Sequence, residues 1–299
     1  MAKHFKKRFF GKWVLAGEYS VLRMGSALVY PLKHYYIDFH YKDIEKSLKI
    51  KRKGQHQAGL DFAVSPLLQK ALKTLNKQRS DLTGSLTIEG NLPFGAGLGA
   101  SSALCVGMSY LFLYKKWINK NQLKTFSTAL EDFFHGKSSG MDVTAVVEQK
   151  AILYQKPNVL KKLNPFKNKP ILFLSYSGGR ASTSVGVAKV RALFDKDWHL
   201  ADQIDKQMNE SVEICLQALK ESNKKESVLK LAKAINLGLN CFEKWKLISY
   251  DLEQHINYLK QKGALAVKPT GSGLGGHVIS LWSKKPPTSL DKKLIPLNI

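Results

Sequence analysis

An α+β fold is the class this sequence predicts, on three observations. Short apolar or aromatic runs bounded by glycine, proline and charged residues read as strands in both halves of the chain. Longer stretches with apolar residues three and four apart read as helices. The two kinds mix without the strict strand–helix alternation of a doubly wound sheet. No segment repeats at a period of roughly 20–50 residues.

Taken in order, residues 9–16 and 27–32 are expected strands, with turns at Gly17-Glu18 and Met24-Gly25. Residues 35–41 are aromatic and partly alternating, a good strand, and residues 48–51 are expected to pair with them. Residues 52–57 read as a polar loop. A helix is expected over 66–75 with Pro66 in its first turn, where the missing N–H costs nothing. Residues 85–88 form a strand, and after a glycine-rich stretch Leu104, Met108, Leu111 and Leu113 mark a helix. Residues 121–134 follow as a second helix with Asn121 as its cap. Prolines, asparagines and lysines crowd into 156–170, and the domain boundary is expected there: residues 1–165 and 166–299. The second half then runs as a strand (171–175), a helix capped by Ser182-Thr183 and reaching Phe194, and three helices (200–219, 228–242, 250–261). A strand (265–268), a second glycine loop (270–276) and a strand (277–282) close the set.

The 299 residues suffice for a large core without disulfides or a structural metal. A formal net charge of +24, from 47 basic and 23 acidic residues, raises the question of nucleic acid. The basic pairs, such as Lys6-Lys7, Lys115-Lys116 and Lys224-Lys225, are scattered along the chain and mostly lysine, with no aromatic-interleaved block. That pattern is a solvated basic surface, which helps collect anionic substrates by long-range attraction, rather than a nucleic-acid stripe. Cys105, Cys215 and Cys241 are far apart and form no metal-ligand or disulfide pattern. No secretory leader and no membrane-length apolar run is present, so a cytoplasmic chain without a membrane partner is expected.

Four segments carry chemistry. In Gly95-Ala96-Gly97-Leu98-Gly99-Ala100-Ser101-Ser102, three glycines lie between a strand and a helix N-terminus. Glycines let the backbone approach a ligand, and free N–H groups at a helix start attract phosphate. The stretch matches neither a Walker A loop nor a dinucleotide fingerprint. Lys12, near a strand end before Gly17-Glu18-Tyr19, is placed to neutralise phosphate or to activate a hydroxyl. Glu131 and Asp142 stand eleven positions apart across a turn, so one carboxylate can hold Mg²⁺ and the other can take a proton from a hydroxyl. The loop Thr270-Gly271-Ser272-Gly273-Leu274-Gly275-Gly276, preceded by Lys268, is a second backbone cradle for an anion.

These segments in this order resemble the GHMP kinase superfamily over nearly the whole chain. Its three motifs stand here as GKWVLAGEYSVLRMGSAL, PFGAGLGASSA and KPTGSGLGG, and EDFFHGKSSGMD resembles the mevalonate kinase branch. The resemblance implies a two-domain architecture, with a ribosomal-protein-S5-like N-terminal domain that binds ATP and a ferredoxin-like C-terminal domain with extra helices. It implies an ATP- and Mg²⁺-dependent transferase of isoprenoid biosynthesis, acting on the 5-hydroxyl of mevalonate. Asp142 would be the base and Lys12 would sit beside the hydroxyl and the γ-phosphate. Residues Gly95 to Ser102 would wrap the ATP phosphates, Ser101 and Glu131 would hold Mg²⁺, and Glu18, Tyr19, Thr183, Gly271, Ser272 and Gly273 would face the substrate. The expected partner is a small alcohol rather than nucleic acid, and a homodimer is compatible with it. Two positions depart from the branch: Tyr19 stands where mevalonate kinases carry histidine, and Ala100 replaces the first serine of the loop. The Tyr19 form is closer to bacterial phosphomevalonate kinases, which keeps phosphomevalonate or another small alcohol open as the acceptor.

Overall fold

The computed structural model describes residues 4–44, 46–136, 138–156, 158–179, 183–288, 290 and 293–299. The fold is α+β, as the sequence predicts. By their internal packing, residues 1–12, 31–94 and 98–149 form one compact unit, and 13–30, 95–97 and 150–299 a second.

In the first unit, the C-terminal half of β2 (Ser26–Lys42) pairs antiparallel with β4 (Ser85–Gly90), from Ile37 opposite Gly90 to Lys42 opposite Ser85. Strand β3 (Lys49–Gly54) lies on the other side of β4 and runs parallel to it. The expected pairing of residues 48–51 with 35–41 is therefore corrected. An eighteen-residue helix, α1 (Gln57–Thr74), separates β3 from β4 and gives the crossover that a parallel pair needs. α1 also begins well before Pro66, which sits inside it at the cost of one backbone hydrogen bond. The expected loop over 52–57 shrinks to a two-residue turn at Gln55-His56, between the end of β3 and the start of α1. Residues 27–32 and 35–41 merge into one strand, since no turn residue separates them.

Helix α2 (Ala100–Tyr114) is apolar nearly all round and almost wholly buried, whereas α3 (Leu123–His135) is amphipathic. The asparagine cap is Asn119 rather than Asn121: its side chain accepts from Asn121 N and Gln122 N in the turn before α3. The short helix α4 (Met141–Glu148), not read from the sequence, follows. Phe9 and Phe39 meet edge to face at 5.7 Å in the core, with Leu104, Met108 and Phe112 of α2 buried alongside.

In the second unit, β7 (Ile171–Tyr176), β8 (Ala266–Thr270), β9 (His277–Trp282) and β10 (Ile295–Leu297) form an antiparallel sheet in the order β10-β7-β9-β8. Helices α5 (Thr183–Lys196), α6 (Trp198–Lys220), α7 (Lys224–Lys244) and α8 (Tyr250–Gln261) accompany it. α6 and α7 start on genuine caps: Asp197 accepts from Leu200 N, and Asn223 from Lys225 N and Glu226 N. Ser182, the expected cap of α5, lies outside the described residues. A hairpin of β5 (Ile152–Gln155) and β6 (Asn158–Lys162) occupies part of the polar stretch, and β5 pairs with residues 26–29 of β2. Among the described residues no helix is long and apolar enough to cross a membrane.

Candidate functional site

The residues singled out from the sequence fall into two sets, one within each unit. In the first unit the central feature is an ion pair: Lys12 Nζ lies 3.0 Å from Asp142 Oδ2. Lys12 is a β1 residue (β1 spans His4–Ala16) and is 3% exposed. Its aliphatic stem runs over Gly99, where a Cβ would come within 2.9 Å of Lys12 Cγ. Gly99 has φ 79° and stands just before α2, so the lysine crosses the helix start that closes the glycine loop. Asp142 occupies the first turn of α4. Its second oxygen, Oδ1, is buried without a hydrogen-bond partner among the described residues.

Glu131 lies within α3, about one turn before its end, and is 2% exposed. Burial, with the nearby Asp142 carboxylate adding to it, raises the Glu131 carboxyl above the usual range, against the lowering effect of Ser102, Lys12 and Ser138. The two carboxylates the sequence separates by eleven positions are thus electrostatic neighbours. Ser102 Oγ donates a hydrogen bond to Glu131 Oε1 and is fully buried, while Ser101 is partly exposed at the same helix start. Sequence reasoning gave Ser102 only a place in the loop; the signal was its spacing one residue into a buried helix face. Asp132 Oδ1 accepts from Ser138 N and fixes the turn between α3 and α4.

The donor set fits a small hard cation. Mg²⁺ takes oxygen ligands and one or two carboxylates. The buried Glu131 carboxylate, with Ser102 bonded to it and Ser101 beside it at the start of α2, supplies the oxygens it would use here.

In the second unit, Gly95 and Gly97 adopt φ of 71° and 77°. Gly97 packs against the second loop so closely that a Cβ on Gly271 would lie 2.9 Å from the Gly97 carbonyl oxygen. The second loop is anchored at its base by Thr270, whose hydroxyl accepts from Val14 N at 2.7 Å and donates to Val14 O at 3.0 Å. Tyr19 is buried, and burial raises its hydroxyl pKa. The hydroxyl donates to Ser272 O at 2.5 Å, and the ring packs on Phe242 and Trp245. Glu18 is buried and accepts from Lys268 Nζ, which also donates to Pro269 O at 2.8 Å. Lys268 was noticed in the sequence only as the residue before the loop; it is fully buried and is the cation that balances Glu18. Thr183 is the exposed first residue of α5. His277, which the sequence reading passed over, is 3% exposed and its Nδ1 lies 3.1 Å from Ala96 O.

Residues 66–150 match the family model for the GHMP kinases N terminal domain. Over that stretch the chain is similar to the GHMP kinases. The chain is 24% identical to a mevalonate kinase of Aeropyrum pernix over 286 residues, covering 92% of this chain and 87% of that protein. It is 27% identical to the mevalonate kinase of Pyrococcus abyssi over 218 residues, 72% of this chain but only 64% of that relative's length. The crystal structure of L. major mevalonate kinase in complex with R-mevalonate shares the fold, with a TM-score of 0.75, 22% identity, and coverage of 95% of this chain and 89% of that one.

Proposed function

We propose that this chain is a GHMP kinase that transfers the γ-phosphoryl group of ATP to the 5-hydroxyl of mevalonate, in the cytoplasm and as a step of isoprenoid synthesis. The observation that carries the reading is the Lys12–Asp142 ion pair beside the buried Glu131, at the helix start that ends a glycine loop. The mevalonate kinase relatives supply the acceptor. In this reading residues 1–165 are the N-terminal GHMP domain, residues 166–299 the C-terminal one, and self-association into a homodimer is compatible with both.

Phosphoryl transfer asks for positioning and charge neutralisation more than for covalent chemistry. Backbone N–H groups of Gly95 to Ser102 and the start of α2 hold the phosphates. Ser101 and Glu131 would hold Mg²⁺, which would neutralise charge on the phosphate oxygens. Asp142 takes the hydroxyl proton as the oxygen–phosphorus bond forms and the bond to ADP breaks. Lys12, paired with the Asp142 carboxylate at 3.0 Å, keeps it aimed. Glu18, Tyr19, Thr183 and Gly271 to Gly273 form the acceptor side, Tyr19 through the Ser272 carbonyl it holds and Glu18 through its pair with Lys268.

The test is ADP release from ATP and Mg²⁺ with mevalonate, phosphomevalonate or galactose offered separately. Mevalonate is expected to support turnover. ADP release with phosphomevalonate or galactose and none with mevalonate would overturn the acceptor.

A further inference from the structure

We infer that His277 is a positioning residue for the glycine loop, its ring N–H holding the Ala96 carbonyl and so setting the direction of the loop's N–H groups. The inference rests on the kinase reading above. Glycines with positive φ alternate here with ordinary residues: Gly95 at 71°, Gly97 at 77° and Gly99 at 79°, with Ala96 and Leu98 between them. Such alternation turns successive N–H groups toward one side and makes an anion cradle. The cradle persists only if the intervening carbonyls face away, because an inward carbonyl would repel phosphate.

Both intervening carbonyls are held. Leu98 O accepts from the backbone N–H of Lys12 at 2.9 Å. Ala96 O accepts from His277 Nδ1 at 3.1 Å. A carbonyl oxygen only accepts, so the proton of the neutral ring sits on Nδ1. The ring is fixed from behind. His277 is the first residue of β9 and pairs with Thr270 of β8 and Tyr176 of β7. The Tyr176 ring lies 5.2 Å from it, and the side chain is almost wholly buried. His277 also follows the second glycine loop directly, so one residue ties the end of that loop to residues 95–97. Burial, opposed by the bond to Ala96, lowers its pKa to about 4, which keeps the ring neutral at physiological pH.

Asparagine places its amide nitrogen where His Nδ1 stands, whereas glutamine reaches past it. His277→Gln is therefore expected to weaken binding of ADP with Mg²⁺ about tenfold and to raise the KM for ATP by a similar factor, with the KM for mevalonate little changed. His277→Asn is expected to recover most of that loss. Calorimetric titration and steady-state kinetics read these effects, and a thermal melt reports whether each variant folds. Equal nucleotide affinity in the two folded variants would overturn the inference, whether both match the wild type or both fall below it. The wild-type chain gives a second measurement that needs no variant: nitrogen-15 NMR is expected to find the His277 proton on Nδ1, and finding it on Nε2 would overturn the inference. A wild-type chain that binds no ADP would overturn the kinase reading itself and this inference with it. Normal turnover combined with the wrong tautomer would overturn the inference alone.

Discussion

At the residue scale, Asp142 is the group whose change should separate chemistry from binding. Asp142→Asn keeps the shape and removes the negative charge. Turnover is expected to fall by at least a factor of about a thousand, while calorimetry with ADP and Mg²⁺ stays near the wild-type value. Substantial residual kcat in the purified variant would remove Asp142 as the base. Lys268 makes a different kind of claim. It is fully buried and balances Glu18, whose Oε2 already lacks a partner among the described residues. Lys268→Met leaves a buried carboxylate uncompensated and should cost about 3–5 kcal/mol in urea unfolding. Adding Glu18→Gln should recover part of that loss, because the two changes share one interaction. Much of the first set of residues is legible in the sequence, since glycines, a lysine ahead of the Gly17-Glu18 turn and two carboxylates around a turn mark themselves. The partners that fix them are not legible. Glu18 and Lys268 meet across 250 positions and His277 and Ala96 across 181, and no local pattern encodes such contacts.

At the element scale, helix α2 shows how a site is carried by packing. Its start closes the first glycine loop, and its middle contains Gly107, against which the Phe39 ring lies. A Cβ there would stand 2.1 Å from Phe39 Cε2 in a fully buried environment. Gly107→Ala gains helix propensity, worth about 1 kcal/mol. The overpacking costs about 1–3 kcal/mol, so the melting temperature is expected to fall, and a rise would show that the Phe39 ring can move. Most elements could be read from their periodicity: 250–261 and 277–282 are observed as Tyr250–Gln261 and His277–Trp282. The misreadings share a cause. Pro66 looked like a helix start, yet α1 runs through it, because packing of Leu60, Val64, Leu67 and Leu68 outweighs one lost hydrogen bond. The β5–β6 hairpin was invisible because its second strand, NVLKK, lies in a stretch rich in proline, asparagine and lysine.

At the scale of the whole molecule, two buried titrations oppose one another. His277 has its pKa lowered from 6.5 to about 4, chiefly by burial. Below pH 6.5 the unfolded chain takes up a proton that the folded chain refuses. The stability tied to neutral His277 is therefore complete above pH 6.5 and is lost as pH falls toward 4, at about 1.4 kcal/mol per pH unit. Glu131 has the opposite sign. Its carboxyl is raised by burial and by Asp142, so the folded chain keeps a proton that the unfolded chain has released. Its contribution is complete below the unfolded value of 4.5 and fades as pH rises above it. Strands β1 and β2 each run through both compact units, so the chain is expected to unfold in a single transition that feels both groups. Without Mg²⁺, these two contributions should largely cancel between pH 4.5 and 6.5. Removing either group breaks the balance. In His277→Asn the melting temperature should fall as pH rises through that window, because of the two groups only Glu131 remains. In Glu131→Gln it should rise, because only His277 of the two remains. Scanning calorimetry of the three proteins in a magnesium-free buffer reads both slopes, and slopes of the same sign in the two variants would refute the opposition.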